Sequence, residues 1–126
     1  MNIKMIDGLP TVEVKIKYNN KEKMLRNVLI DTGSSNTILD VDSVQDIGLV
    51  IDPLKGKARR MYGVGGESEL CYEQNVENLT VGEYLLNNFT LQLGMTKENY
   101  GFECILGVDF MVENKVILDF ERLSIK

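Results

Sequence analysis

The sequence predicts an all-β domain on two observations. Apolar and polar residues alternate along short runs, and turn-forming residues separate those runs, which is the pattern of strands with one buried face. The chain's 126 residues suit one packed core and are too few for two, so residues 1–126 are read as a single domain. A hydrophobic share of 44% beside a charged share of 26% belongs to an ordinary globule and sets aside disordered, collagen-like and coiled-coil classes.

Val12, Val14, Ile16 and Tyr18 alternate with Glu13, Lys15 and Lys17, predicting a first strand with one buried face. Asn19-Asn20 turns the chain into a second strand over residues 24–30, and the two form a hairpin. The polar, tight Asp31-Thr32-Gly33-Ser34-Ser35 follows, and then the apolar Thr37-Ile38-Leu39. A short helix is expected over residues 42–47, with Asp42 as its cap and Gly48 as its stop. Two strands are expected within residues 58–74, around Gly63-Val64-Gly65-Gly66. Another pair, 79–81 and 84–93, meets across Gly82-Glu83. The end repeats the first theme, with apolar residues 102–106, Gly107, a short helical piece over 108–113, and strands at 116–120 and 123–125. No linker or low-complexity stretch interrupts this order.

A net charge of −5 argues against nucleic acid or an anionic membrane as a partner, since either requires a basic face. The cluster Lys55, Lys57, Arg59 and Arg60 is too short to overturn this and reads as the solvated side of a loop and strand. No apolar run approaches the ~20 residues of a membrane span, and Met1-Asn2-Ile3-Lys4 lacks the apolar stretch of a signal peptide, so a cytoplasmic location is expected. Cys71 and Cys104 are far apart, without a Cys-x-x-Cys spacing and in a chain that has no histidine. No zinc site is expected, and both read as buried thiols. The lack of histidine also removes Ser-His-Asp and Cys-His chemistry, leaving a hydrolase only carboxylates, a lysine or a terminal amine to work with.

Chemistry concentrates at residues 28–36. The apolar Val28-Leu29-Ile30 ends in Asp31-Thr32-Gly33, which delivers a carboxylate from the core into a cleft beside a glycine that lets another backbone come close. Asp-Thr-Gly by itself is also a common turn. What separates the two readings is the order of three signals. Tyr62-Gly63-Val64-Gly65-Gly66 follows later in the chain, and Ile105-Leu106-Gly107 with Val108-Asp109-Phe110-Met111 later still.

In that order the three resemble the motifs of pepsin-like and retroviral aspartic peptidases, over roughly residues 12–125. Asp31-Thr32-Gly33-Ser34 matches the family's catalytic Asp-Thr/Ser-Gly signature, and Ser35-Asn36 extends it toward the pepsin form. Tyr62-Gly63-Val64-Gly65-Gly66 resembles the flap hairpin, and Ile105-Leu106-Gly107 the apolar-apolar-Gly element of the second half.

The resemblance implies a retropepsin-like acid-protease barrel with one or two short helices. Pepsin-like enzymes carry two such Asp motifs in two lobes, whereas this chain carries one, so a symmetric homodimer is implied, with two Asp31 carboxylates on the two-fold axis. Two carboxylates so close share one proton. The charged one draws a proton from a water held between them, while the protonated one donates to the scissile carbonyl of a peptide or protein substrate. Neither metal nor cofactor is implied.

Residue roles follow from the same resemblance. Asp31 is catalytic, Thr32 turns its hydroxyl toward the partner's backbone, and Gly33 leaves room for substrate backbone. Ser34 is expected to donate to the ionised Asp31 carboxylate and so to favour activity on the acid side. Val64 offers its N–H to the substrate through a water, while Gly63, Gly65 and Gly66 let the flap bend. Tyr62 sits where pepsin-like flaps carry a tyrosine, and Ile38, Val64 and Ile105 supply apolar pockets. Where retroviral members pair an acidic residue with an arginine, this chain has Ser35 and Val108, so no buried charge is orphaned. Residues 1–6 and 123–126 are expected in a dimer's interface sheet. A non-catalytic dimerisation or peptide-binding module on the same fold is the alternative function.

Overall fold

A computed structural model describes residues 2–52, 54, 57–62 and 68–126. The expected flap-tip residues Gly63, Val64, Gly65 and Gly66 lie outside the described residues. The chain opens with β1 (Lys4–Ile6), β2 (Leu9–Tyr18) and β3 (Lys21–Ile30), antiparallel in sequence. Val12, Val14 and Ile16 are buried while Glu13 is exposed, as their alternation requires. Asn19 and Asn20 both take positive φ, 52° and 64°, the left-handed pair of a tight hairpin turn whose twist matches its strands. That turn lets β3 begin at Lys21 rather than at residue 24.

Next, β4 (Ile38–Asp40) runs into α1 (Val41–Val44) and a 3-10 turn at Gln45–Ile47. The helix is capped by Asp40, not by Asp42 as expected. The buried Asp40 carboxylate accepts from the Ser43 N–H (3.1 Å) and hydroxyl (2.8 Å), and its other oxygen accepts from the Lys97 N–H at 3.0 Å. One side chain therefore caps the helix and anchors a segment far along the chain. Gly48 stops the turn in the left-handed region, at φ 86°, where a Cβ is disfavoured.

The strands expected around the glycine turn are β5 (Ala58–Tyr62) and β6 (Ser68–Val81), paired from Ala58↔Tyr72 to Tyr62↔Ser68. β6 does not end near residue 74 but includes residues 79–81 in one strand. Val76, Leu79 and Val81 keep its inward face buried, and β7 (Tyr84–Gly94) pairs with it along its length. A short α2 (Thr96–Tyr100), not anticipated, precedes β8 (Cys104–Leu106). Then come α3 (Val108–Glu113), at its expected bounds, and the small pair β9 (Leu118–Asp119) and β10 (Ser124–Ile125).

Among the described residues, eight strands form one sheet in the order β1-β2-β3-β8-β4-β7-β6-β5, with β2 also paired to β6. That extra pairing joins the ends of the β2-to-β6 run, so six strands close into a barrel and hide their edges. Val14, Ile16, Leu25, Leu39, Leu79 and Leu91 fill it. Phe110 of α3 is fully buried there and meets Phe89 edge-on, with ring centroids 6.2 Å apart. The fold is thus all-β with a few short helices, as the sequence predicts. Cys71 and Cys104 are both buried free thiols.

The two terminal segments meet each other within the chain. Asn2 bridges to Ser124, and the Ile3 N–H donates to the Leu123 carbonyl at 2.7 Å. Lys126 Nζ closes this end against Asp119 at 3.0 Å. Among the described residues no helix is long and apolar enough to cross a membrane.

The three bonds at Asp40 give a direct stability test. Asp40→Ala leaves the Ser43 and Lys97 donors without their acceptor, and is expected to cost about 2 kcal/mol in urea unfolding. A variant as stable as the parent would show that the buried carboxylate organises neither segment.

Candidate active site

The site begins where β3 and β8 run parallel, pairing Val28↔Cys104, Leu29↔Ile105 and Ile30↔Leu106. The Asp31 N–H donates to the Leu106 carbonyl at 3.0 Å, carrying the ladder one step past β3. The aspartate is thereby held at the open end of a buried strand pair. Its Oδ1 accepts from the Gly33 N–H at 2.9 Å, and its carbonyl accepts from the Ser34 N–H at 3.2 Å. A Cβ at Gly33 would lie 3.2 Å from that same Oδ1, so the absent side chain leaves the carboxylate its approach to the loop backbone.

The loop is then tied to the start of α3. Thr37 donates its N–H to Asp109 Oδ2 (2.9 Å) and its hydroxyl to Asp109 Oδ1 (2.8 Å). The Thr37 oxygen in turn accepts from the Gly107 N–H at 3.1 Å, while the Val108 N–H donates to the Ser34 carbonyl at 2.8 Å. These bonds bring two backbones into contact. A Cβ on Gly107 would stand 2.6 Å from both the carbonyl carbon and oxygen of Asn36, and 2.9 Å from the Ser34 carbonyl oxygen. Backbone atoms held by a barrel do not yield as a flexible side chain does. The two loops are joined without the acid–arginine pair missing at Ser35 and Val108, because Thr37 and Asp109 join them.

Asp31 is partly exposed and opens on a cleft of about 830 Å³. Of the expected site residues, Gly33, Ser34, Ile38, Tyr62 and Ile105 line it with Asp31. Thr32 is exposed beside the carboxylate but does not line the cleft. The expectation for Ser34 is corrected: its hydroxyl donates to the Asn36 carbonyl at 2.7 Å, which takes the one proton it has to give. It is not the donor to Asp31.

Several lining residues carry no motif: Met61, Glu69, Tyr100 and Phe102. Met61 packs on Ile38, Cys71 and Ile105 in a small apolar cluster separate from the barrel core. Burial, with the Glu69 carboxylate adding to it, pushes the Cys71 thiol up to about 12, so it stays protonated and inert through the neutral range. Asp109 carried no expected role either. Its position two residues after Gly107, in the first turn of a helix, was the available signal, since an acid there meets unsatisfied N–H groups.

Comparison with known proteins agrees with this geometry. A family model described as aspartyl protease matches residues 12–110. No curated protein matches the chain. Among solved structures, that of a retropepsin-like aspartic protease from Rickettsia conorii aligns with a TM-score of 0.67 at 21% identity, covering 98% of this chain and 86% of that one. The fold is therefore retropepsin-like.

Gly107→Ala tests the crossing. With backbone on the far side of the new methyl, the variant is expected to lose about 3 kcal/mol of stability. Urea unfolding of both proteins measures it, and an unchanged midpoint would mean that the loops do not meet as closely as described.

Proposed function

The chain belongs to the aspartyl protease family, and we propose that it is an endopeptidase that hydrolyses peptide bonds with two Asp31 carboxylates, one from each of two identical chains. The observation that carries this reading is the make-up of the cleft. Among its described lining residues Asp31 is the one aspartate, and it stands at the end of a fixed strand pair with its carboxylate accessible.

Water attack on an amide needs a group to take a proton and a group to support the carbonyl oxygen as charge develops there. One carboxylate does not fill both roles at the same moment. A second copy of the loop, related by a two-fold axis, supplies the other. Two facing carboxylates then share a proton, and the charged member activates a water held between them. Thr32 and Gly33, directly after Asp31, are exposed, which suits them to face a second chain and a peptide backbone. Tyr62, the last residue of β5, lines the cleft. Ile38 and Ile105 give apolar surface for side chains beside the cut. Residues 1–126 are proposed as one domain of this kind.

Asp31→Asn keeps the size of the side chain and its acceptor oxygen for Gly33 but cannot exchange a proton. Cleavage of a peptide mixture, read by mass spectrometry, is expected to fall by about a thousandfold or more, with stability little changed. A variant that cuts as fast as the parent would remove Asp31 from the chemistry. A parent that binds peptides and cuts none would favour a binding module.

A further inference from the structure

The cleft wall formed by β5 and β6 is not uniform. Met61 pairs with Glu69 and Arg59 with Cys71, and directly opposed residues of an antiparallel pair share a face of the sheet. Arg59, Met61, Glu69, Cys71 and Glu73 thus project to one side. Met61 and Cys71 pack there on Ile38 and Ile105, so it is the side that the cleft occupies.

Glu69 places a carboxylate on this apolar wall, and the fold makes room for it. Its Oε1 accepts from the Met95 N–H at 2.6 Å. A Cβ on Gly94 would lie 2.9 Å from that oxygen, 3.0 Å from Cys71 Sγ and 3.0 Å from Ile38 Cγ2. A side chain at position 94 would therefore displace Glu69 from its anchor. Glu69 is half-buried as a residue, and the Met95 bond ties one of its carboxylate oxygens in place.

Arg59 and Arg60 line the same cleft, but among the described residues neither forms an ion pair with Glu69. On the same face Glu73 lies 3.9 Å from the Arg59 guanidinium, whereas Glu69 forms no ion pair with a described lysine or arginine. Arg60, also at the cleft, alternates to the other face of β5 and donates to the Ser68 hydroxyl at 3.0 Å. Glu69 thus lacks an ion-pair partner among the described residues, and a substrate cation that reaches it gains a charge-assisted hydrogen bond. The surroundings set what kind of cation fits, since Met61, Ile38 and Ile105 offer apolar contact to an aliphatic stem whose charged end reaches Glu69.

We propose that Glu69 makes this cleft select peptides carrying lysine or arginine beside the bond to be cut. The proposal rests on the peptidase reading and names its substrate class. Norleucine has the stem of lysine without its charge, which makes it the matched control. The parent is expected to favour lysine over norleucine about tenfold in kcat/KM, as a charge-assisted hydrogen bond allows.

The test compares parent and Glu69→Gln on peptides that differ only in lysine or norleucine at the selected position. Glutamine keeps an oxygen for the Met95 N–H and loses the charge, so the lysine-to-norleucine ratio is expected to collapse to about one. A parent without the preference, or a preference that survives in Glu69→Gln, overturns the proposal. A binding measurement with the Asp31→Asn chain and the same peptides separates this inference from the peptidase reading. Tighter binding of the lysine peptide, lost when Glu69→Gln is added, sustains the substrate class even if the parent cuts nothing. Equal binding, or none, overturns it.

Discussion

At Gly107 two lengths of backbone cross with no space for a side chain between them. On one side run Ser34 and Asn36, just after the aspartate; on the other begins α3. The crossing is closed by the Val108-to-Ser34 bond and by Asp109, whose two oxygens take both Thr37 donors. Asp31 stands at the edge of this knot, bonded to Leu106 on the strand that leads into Gly107. Leu106 and Ser34 hold its backbone, and the Gly33 N–H holds one of its carboxylate oxygens. That placement suits the catalytic role proposed for Asp31, since a group already held in position needs little reorganisation.

The barrel makes that crossing rigid. β8 lies between β3 and β4, parallel to the first and antiparallel to the second, so the strand ahead of Gly107 is paired along both edges. Phe110 anchors the following helix in the core, against Phe89 of β7. Asp40, at the end of β4, draws in the Lys97 backbone and with it the segment that carries Tyr100 and Phe102 into the cleft. Packing in the core therefore sets the cleft wall as well as the aspartate.

Much of this is legible in the sequence, for physical reasons that differ from place to place. The alternation of Val12, Val14 and Ile16 reads directly as a half-buried strand, Asp31, Gly33, Tyr62 and Ile105 are found because short motifs recur in a known order, and Ile38 because it is apolar and close to the first of them. The continuity of β6 is harder to see, since Asn75, Glu77 and Asn78 look like a break. Pairing with β5, β7 and β2 holds that stretch extended despite its polarity, as tertiary context overrides local preference. Either Asp40 or Asp42 has the chemistry of a cap, and only burial distinguishes them. Ser34 stands near Asp31 in sequence, yet its proton goes to Asn36, the local side-chain-to-backbone bond that serines in loops readily make. Glu69 and Phe102 carry no signature at all. Register and chain return bring them to the cleft.

The central claim is that one active site is built from two chains, and mixing parent with Asp31→Asn chains tests it most directly. Subunits are mixed in varying proportion at constant total concentration, allowed to exchange, and assayed on one peptide. If each site needs two intact Asp31 side chains, activity follows the square of the parent fraction, so an equal mixture retains about a quarter of the parent rate. Activity that falls in simple proportion to the parent fraction would mean that each chain cuts by itself, and would contradict the account.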